Sequence, residues 1–296
     1  MIQASRLRKR ARIVSGAIRN DDAGNQIQAH GGSLLQLGNE WYWFGCYRSN
    51  DLASWTRLPN VLSIKAGTPL NGDMVGERPR VIFNQATNKF VMYFHYDDPQ
   101  YVYNSYPDDV CPTRCPLTNF CIFNLKVTDW GKLVSRQVGS GWKFDRAISP
   151  LNSQSRDLSL FQDDDGTAYV TFASDSNANL KLARLSKDYM DVEELVYVWK
   201  QVFWEATGMI KEAGVYHMMF SLQKGWSANA NKVTKASNLA GPWSDAVDIA
   251  DPKLNTYSSQ NTYELTVTGT QATTHICRTI KTTPNPSSFL EVFLNL

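Results

Sequence analysis

The sequence has no long apolar run and few features of an exported glycoprotein. No stretch of its 296 residues approaches about 18 consecutive uncharged apolar residues, which excludes a membrane-spanning helix. It contains no Asn-X-Ser/Thr sequon, and no apolar segment of the signal-peptide kind follows the basic residues near the N-terminus. The residues alone therefore do not predict secretion.

The sequence also lacks a strong excess of charge of either sign. The net charge is +2, and five of the 30 basic residues stand in the first twelve positions, which hold no acid: Arg6, Arg8, Lys9, Arg10 and Arg12. Without those five, 25 basic residues remain against 28 acidic ones, so the rest is mildly acidic and has no electrostatic footprint for nucleic acid. We expect residues 1–12 to be a disordered basic extension and residues 13–296 to form one domain.

Cysteine is scarce and irregularly spaced. The five cysteines are an odd number, and three of them, Cys111, Cys115 and Cys121, lie close together in the sequence. A zinc site would need a fourth ligand, and none stands nearby. Loop thiols or one local disulfide are therefore favoured over a metal site, and the sequence indicates no cofactor.

Short aromatic and aliphatic runs recur along the chain. Each follows a turn signal such as Gly38-Asn39 or Asp165-Gly166, which is typical of β-hairpins. The five runs are residues 41–44, 90–94, 168–172, 215–220 and 274–277. They are roughly 45 to 80 residues apart, enough for one four-stranded sheet with its loops in each unit. The pattern predicts an all-β fold, a five-bladed β-propeller.

Helix should be scarce, because no apolar stripe with a 3.6-residue period reaches helical length. We expect at most a single helical turn at residues 187–190. Outer strands are indicated around residues 54–56 and 241–244, where tryptophan stands among turn and β-forming residues.

Four polar residues precede the aromatic runs of their units at similar distances: Glu77, Asp157, Glu205 and Gln260. The innermost strands of a propeller converge on a central channel, so equivalent positions should face one another there. Neighbouring carboxylates raise each other's pKa and can keep one of them protonated near neutrality. Glycoside hydrolysis requires such an acid at the leaving oxygen, and an inverting enzyme also activates a water on the opposite face.

Each of these features has a structural alternative. Glu77 is followed by Arg78 and Asp157 is preceded by Arg156. In the structural alternative each carboxylate only forms an ion pair with its neighbouring arginine. The acidic stretch 163–166 resembles a metal cluster, but Asp-Gly between two strands favours a hairpin turn. His30 is either a ligand or a histidine hydrogen-bonded beneath the site. Trp226 is either a sugar platform or a core residue.

The chain resembles glycoside hydrolase family 43, and within it the fungal exo-β-1,3-galactanases of subfamily 24. The motifs that carry the resemblance run in order through most of the chain: residues 27–32 (IQAHGG), 41–45 (WYWFG), 77–84 (ERPRVIFN), 91–95 (VMYFH), 155–157 (SRD), 161–169 (FQDDDGTAY), 225–226 (GW), 241–243 (GPW) and 259–262 (SQNT).

The resemblance implies a five-bladed propeller that releases galactose from the non-reducing end of β-1,3-galactan with inversion. Glu205 resembles the general acid, and Asp157 the carboxylate that tunes its pKa and orients it. By the same resemblance, Gln260 is the candidate for positioning the attacking water, and a neutral amide is a poor base for deprotonating it. The substrate-binding residues by the same resemblance are Glu77, Tyr101, Asn179, Trp226 and His30.

The resemblance further implies an extracellular monomer whose partner is a polysaccharide or oligosaccharide, with no nucleic-acid or membrane partner. It implies no catalytic metal, although a structural ion at the centre, under His30, is compatible with such propellers.

The chain departs from the family pattern in its first unit. Most of the wider family has a base aspartate there, whereas residues 28–32 read QAHGG with no carboxylate. Cys46 replaces an acidic residue, and a segment as long as a strand and its loop is missing between Gly45 and Asp51. Residues 103–138 are also unlike the family. Two alternatives therefore stay open: an impaired propeller that binds galactan, and a family 43 arabinofuranosidase or xylosidase.

Overall fold

The computed structural model describes residues 19–27, 29, 31–60, 75–97, 129–138, 142–224, 229–268, 273–281 and 289–294. The predicted basic extension and the cluster of three cysteines lie outside these residues, so the expectations about them and about the domain bounds stay predictions.

The prediction of an all-β fold is confirmed. The described residues form five antiparallel sheets, each built from strands consecutive in sequence. The strands are, in sheet 1, β1 (Leu34–Leu37), β2 (Glu40–Trp43), β3 (Tyr47–Ser49) and β4 (Thr56–Arg57); in sheet 2, β5 (Val75–Asn84), β6 (Lys89–Asp97), β7 (Asp129–Ser135) and β8 (Lys143–Ile148); in sheet 3, β9 (Leu158–Gln162), β10 (Ala168–Ser174), β11 (Asn179–Leu185) and β12 (Val192–Trp199); in sheet 4, β13 (Trp204–Glu212), β14 (Val215–Leu222), β15 (Lys232–Ala236) and β16 (Val247–Asp248); and in sheet 5, β17 (Ser259–Thr268), β18 (Thr273–Lys281) and β19 (Phe289–Leu294). Helix within the described residues is limited to short turns at Pro150–Asn152, Pro252–Leu254 and Asn255–Ser258.

The aromatic and aliphatic runs form the second strand of every sheet, as the sequence predicts. Three of these strands, β6, β10 and β14, are buried on both faces: in β14, for example, six of the eight residues are buried. Glycines with a left-handed φ make the preceding hairpin turns, at +57° for Gly38, +83° for Gly166 and +82° for Gly214. Residues 163–166 form such a turn, because the amide of Gly166 donates to the carbonyl of Asp163 over 2.9 Å.

Two local expectations are wrong. Residues 241–244 are not a strand but part of the connection from β15 to β16, where Trp243 packs against Trp199. Residues 187–190 form a hydrogen-bonded turn instead of a helical one, and Tyr189 has φ +62°. The first sheet has four strands despite the segment missing after Gly45, because a tight turn at residues 44–46 connects β2 directly to a short β3.

The first strands of successive sheets lie side by side in the order β1, β5, β9, β13, β17. Apolar clusters fill the space between sheets, and one contains residues of sheet 1 together with Leu265 of sheet 5. The fully buried Arg80 of β5 also joins sheet 2 to sheet 5 and to the segment before sheet 1, donating to the carbonyls of Thr262 and Gly31 over 2.5 and 2.6 Å. The polar residues that begin β5, β9, β13 and β17 are thereby placed at one end of the assembly.

Candidate active site

A continuous chain of polar contacts links four sheets at the end where their first strands begin. Gln260 of β17 donates from Nε2 to Oε1 of Glu205 in β13 over 2.7 Å. Its Oε1 accepts from Nη2 of Arg78 in β5 over 3.0 Å. Nε of Arg78 in turn pairs with Oδ1 of Asp157, which directly precedes β9, over 2.8 Å. Three of the four residues predicted for this end, Glu205, Gln260 and Asp157, are therefore brought together.

The backbone beneath these side chains has the same irregularity, a β-bulge, in both β5 and β13. The pairing of β5 with β6 shifts register between Glu77 and Arg80, and that of β13 with β14 shifts between Glu205 and Gly208. The residue after each glutamate has a left-handed φ, +50° at Arg78 and +53° at Ala206. Such bulges bend a strand and redirect its side chains, and they are common beside active sites. The bulges lie at the strand starts that carry Glu77 and Glu205.

The contacts of Gln260 fix the orientation of its amide. Arg78 can only donate hydrogen bonds, so the Gln260 atom facing it must be the carbonyl oxygen. The amide nitrogen then faces Glu205, and its second hydrogen is directed at Oγ of Ser221 over 3.2 Å. Because Oε1 of Glu205 accepts from this nitrogen, a proton on the Glu205 carboxyl group must lie on Oε2.

The surroundings of Glu205 keep a large fraction of it protonated near neutral pH. Burial, followed by the negative charge of Asp157, raises the pKa of Glu205 to about 7, and Arg78 only partly offsets this. A carboxyl group with such a pKa is suited to donate a proton to a leaving group.

Asp157 holds both Arg78 and the backbone next to Glu205. Its Oδ2 accepts from the amide of Ala206 over 3.1 Å, while its Oδ1 pairs with Arg78. The side chains of Arg78 and Asp157 are only 10% and 17% exposed. The alternative derived from the sequence pairs Asp157 with its neighbour Arg156 and Glu77 with Arg78. The second pairing is wrong, because Arg78 pairs with Asp157. Arg78 crosses to the next sheet because the bulge in β5 points it there.

Glu77 lies at the same end of β5 but faces a different partner. Its Oε2 is 3.6 Å from Nδ1 of His95 in β6, and its side chain is 38% exposed. His95 is buried, so Glu77 forms an accessible carboxylate with one side against the protein. This placement leaves it open to a hydroxyl-rich ligand.

The other predicted substrate residues are less well placed by the structure. Asn179 begins β11 and is engaged locally: it donates to Asp175 over 2.7 Å and accepts from the amide of Gln201 over 3.0 Å. The described contacts do not join it to the carboxyl groups, and its substrate role stays a prediction. His30, Tyr101 and Trp226 lie outside the described residues, so their roles, and the ion expected under His30, also stay predictions.

Sequence reasoning missed the residues that hold this site together. Arg78 was considered only as a partner for Glu77, and Ser221 and Asn261 were not considered. Nothing in a single strand's sequence indicates contacts to another sheet, although an arginine directly after a candidate carboxylate was a usable signal.

In the described part of the chain, no group of three or more His, Cys, Asp or Glu side chains is placed to hold a metal ion. No helix among these residues is long and apolar enough to cross a membrane.

The chain is similar to known glycoside hydrolases. The family model described as glycosyl hydrolases family 43 matches residues 38–276. The exo-β-1,3-galactanase from Phanerochaete chrysosporium, solved as a variant with β-1,3-galactotriose, is 35% identical over 96% of this chain, with a TM-score of 0.83. That from Clostridium thermocellum is 26% identical over 96% of this chain, with a TM-score of 0.82. A putative exo-β-1,3-galactanase from Bifidobacterium bifidum, 24% identical with a TM-score of 0.79, shares the fold and covers 94% of this chain and 92% of its own.

The chain spans only part of two of these relatives, 64% of the Phanerochaete chain and 63% of the Clostridium chain. A search of curated proteins gave no match. The family match nevertheless covers far more than half of the sequence and includes the strands that carry Glu77, Asp157, Glu205 and Gln260. The chain therefore belongs to glycosyl hydrolase family 43.

Proposed function

We propose that this protein is an exo-acting glycosidase that releases galactose from the non-reducing end of β-1,3-galactan with inversion of the anomeric centre. Membership of family 43 supports the general class. The galactan specificity is supported by similar structures that carry the name exo-β-1,3-galactanase, one of them solved with β-1,3-galactotriose and one with galactose.

The observation that carries the proposal is the state of Glu205. Its pKa of about 7 leaves a large fraction of the carboxyl group protonated at neutral pH, and its contact with the Gln260 amide leaves Oε2 to carry that proton. A glycosidic oxygen leaves as a hydroxyl only if a proton reaches it as the bond breaks. Oε2 of Glu205 is the proposed donor of that proton.

The neighbouring residues take complementary roles in this proposal. Asp157 raises the pKa of Glu205 by its charge and holds the adjacent backbone amide, which orients the acid. Glu77 is the accessible carboxylate that would hold galactose hydroxyl groups. Gln260 would position the attacking water through the free lone pair of its Oε1, whose other contact, to Arg78, polarises the carbonyl. Tyr101, Asn179, Trp226 and His30 would complete the sugar site.

We extend the proposal to the whole molecule. The five sheets, joined through their first strands, would be the blades of a five-bladed propeller, with Arg80 linking the second to the last and to the segment before the first. The proposed chemistry uses carboxyl groups and water. By resemblance to the family, the protein would act outside the cell as a monomer on the galactan of plant cell walls.

The test is hydrolysis of β-1,3-galactan by the purified protein, with the anomer of the released galactose followed by proton NMR. We expect immediate release of α-galactose from the β-linkage and loss of release by about 10²-fold or more in Glu205→Gln, with galactan binding retained. Glu212→Gln, at the other end of β13, is the matched control and should behave as the wild type.

Other outcomes would identify the alternatives. Binding of galactan without release by the folded wild type would indicate an impaired, galactan-binding propeller. Release of arabinose or xylose from aryl glycosides, with none from galactan, would indicate the arabinofuranosidase or xylosidase activity. Equal turnover in Glu205→Gln and the wild type would remove Glu205 from the mechanism.

A further inference from the structure

A second buried carboxyl group lies close to Glu205 without being part of the polar chain described above. Glu264 of β17 is only 7% exposed. Its Oε1 accepts from Nδ2 of Asn261 over 2.7 Å, and its Oε2 has no hydrogen-bond partner among the described residues. A buried carboxyl group with an unused oxygen is costly, so its presence requires a reason.

Asn261 connects this carboxyl group to the backbone of the candidate acid. The same Nδ2 that donates to Glu264 also donates to the carbonyl oxygen of Ala206 over 2.7 Å. An amide nitrogen carries two hydrogens, so each of these acceptors takes one. Glu264 and Ala206 together hold the Asn261 amide in one orientation. Without an acceptor at Glu264, the Asn261 amide would keep only one of the two hydrogen bonds that hold its orientation.

Ala206 is the residue whose conformation orients Glu205. Its φ of +53° lies in the left-handed region, which is unfavourable for an alanine by about 1–2 kcal/mol. Both polar groups of this residue are held: its N–H donates to Asp157, and its carbonyl accepts from Asn261. These two hydrogen bonds stabilise the bulge in β13 that directs Glu205 toward Gln260.

Two features of the strands allow Glu264 to reach this position. Residues three apart in a regular strand point to opposite faces, but the pairing of β17 with β18 shifts register between Asn261 and Tyr263. The extra residue brings Asn261 and Glu264 to the same face. On the facing strand, Gly208 has no side chain, and a Cβ there would be 1.1 Å from Oε2 of Glu264.

We propose that Glu264 and Asn261 are positioning residues for the acid Glu205, acting through the carbonyl of Ala206. The inference rests on the proposed function, because it assigns Glu205 the role of acid. Burial raises the pKa of Glu264 to about 8, so this side chain is neutral at neutral pH and serves as a hydrogen-bond acceptor, not as a charge.

The test compares two substitutions of similar size at Glu264. Glu264→Gln keeps an acceptor oxygen for Asn261, and kcat on galactan should stay within about threefold of the wild type. Glu264→Met fills the space but offers no comparable acceptor, and kcat should fall by about 10- to 100-fold with KM little changed, the range expected for a displacement of the reacting group by up to about 1 Å. Its melting temperature should be equal or higher, because an unsatisfied buried carboxyl group is removed.

A stable variant with low kcat is a result that a structural role for Glu264 would not produce. Equal kcat in Glu264→Met and Glu264→Gln, whether high or low, would overturn the proposal. If Glu264→Met does not fold, Asn261→Asp gives the same test, because it keeps the shape of Asn261 and removes both N–H donors. It should lower kcat by a similar factor, and full activity in it would also overturn the proposal.

A second measurement separates this inference from the proposed function. The titration of the Glu205 carboxyl group, followed by carbon-13 NMR against a Glu205→Gln reference, needs no turnover. Glu264→Met should lower the pKa of Glu205 toward its ordinary value, because the released side chain becomes more solvated, whereas Glu264→Gln should leave it unchanged. If the wild type does not cleave galactan, the proposed function fails but this result still decides the inference. An unchanged titration in Glu264→Met would overturn it.

Discussion

At the scale of single residues, the chemistry of this protein depends on the surroundings that raise the pKa of one carboxyl group, Glu205. Glu205 and Asp157 lie near each other, but Asp157 has Arg78 and a backbone amide as partners, whereas Glu205 has a neutral amide. Burial and the charge of Asp157 therefore favour the protonated form of Glu205. Glycoside hydrolysis requires such a protonated carboxyl group at the leaving oxygen.

The pH dependence of activity should follow this network. Glu205 must be protonated to act as an acid, so kcat/KM should fall as pH rises through about 7. Asp157→Asn removes the charge that raises the pKa of Glu205 and leaves Arg78, which lowers it. We therefore expect the alkaline limb of the kcat/KM profile to move to lower pH, and kcat/KM at pH 7 to fall by about 10²-fold.

The control for this substitution is Asp164→Asn, in the hairpin at the other end of β9, where the side chain is 83% exposed. It should leave the profile unchanged. An alkaline limb in Asp157→Asn at the wild-type pH would mean that Asp157 does not set the pKa of Glu205.

At the scale of elements, the irregular and regular ends of the strands have different tasks. The start of β13 is bulged and carries Glu205, whereas its end is regular and is joined to sheet 3 by Lys211. Nζ of Lys211 and the hydroxyl of Tyr216 both donate to Asp163 over 2.6 Å. This cluster fixes the hairpin after β9 against sheet 4 at the end distant from the candidate site.

Tyr216→Phe should therefore destabilise the fold without affecting catalysis. It removes a hydrogen bond to a carboxylate, which is worth about 1.5–3 kcal/mol in the free energy of unfolding. Burial acts to raise the pKa of Asp163, but the hydrogen bonds from Lys211 and Tyr216 lower it below its ordinary value of 3.8. Because the pKa of Asp163 is lower in the folded than in the unfolded protein, its ionised form stabilises the fold at pH values above the pKa of the unfolded state. The loss of unfolding free energy in Tyr216→Phe should therefore be full near neutral pH and shrink as pH falls below about 4.

Urea unfolding at several pH values measures this cost, and kcat on galactan is the second readout. Tyr42→Phe, whose hydroxyl donates to Glu40 within sheet 1, is a matched control. A loss of kcat in Tyr216→Phe comparable to that in Asp157→Asn would contradict the separation of the two strand ends.

At the scale of the whole molecule, buried arginine links sheets that are far apart in sequence. Arg80 of sheet 2 donates to the carbonyl of Gly31, before sheet 1, and to that of Thr262 in sheet 5, and it lies over the ring of Tyr263. Burial, followed by repulsion from Arg78, lowers the pKa of Arg80 to about 10, so it stays charged at neutral pH. The contacts of this side chain bring the early and late parts of the chain together.

Arg80→Met should accordingly cost several kcal/mol of unfolding free energy. It leaves two buried carbonyl oxygens without a donor, at about 1–3 kcal/mol each. Arg80→Lys, which can satisfy only one of them, should show an intermediate cost. Arg48→Met, at an exposed pair with Glu40, should cost less than about 1 kcal/mol. Equal unfolding midpoints for Arg80→Met and Arg48→Met would show that this link does not hold the sheets.

Much of the fold was predictable because it depends on local pattern. Glycine turns such as those at Gly38, Gly166 and Gly214, followed by aromatic and β-branched runs, determine hairpins through φ and burial alone, and the structure contains them. Where the signal was a lone tryptophan with turn residues, as at residues 241–244, the prediction of a strand was wrong. Tryptophan there fills the space between sheets, and the sequence does not distinguish packing from pairing.

The sequence by itself determined the all-β architecture, the spacing of its units and the set of polar residues at the strand starts. Only the tertiary structure decided which of these residues meet. Arg78 pairs with Asp157 of the next sheet, Gln260 contacts Glu205, and Glu264 lies beside Gly208. These contacts join residues 55 to 79 positions apart or depend on bulges that reverse the alternation of a strand, and neither is encoded in a local period.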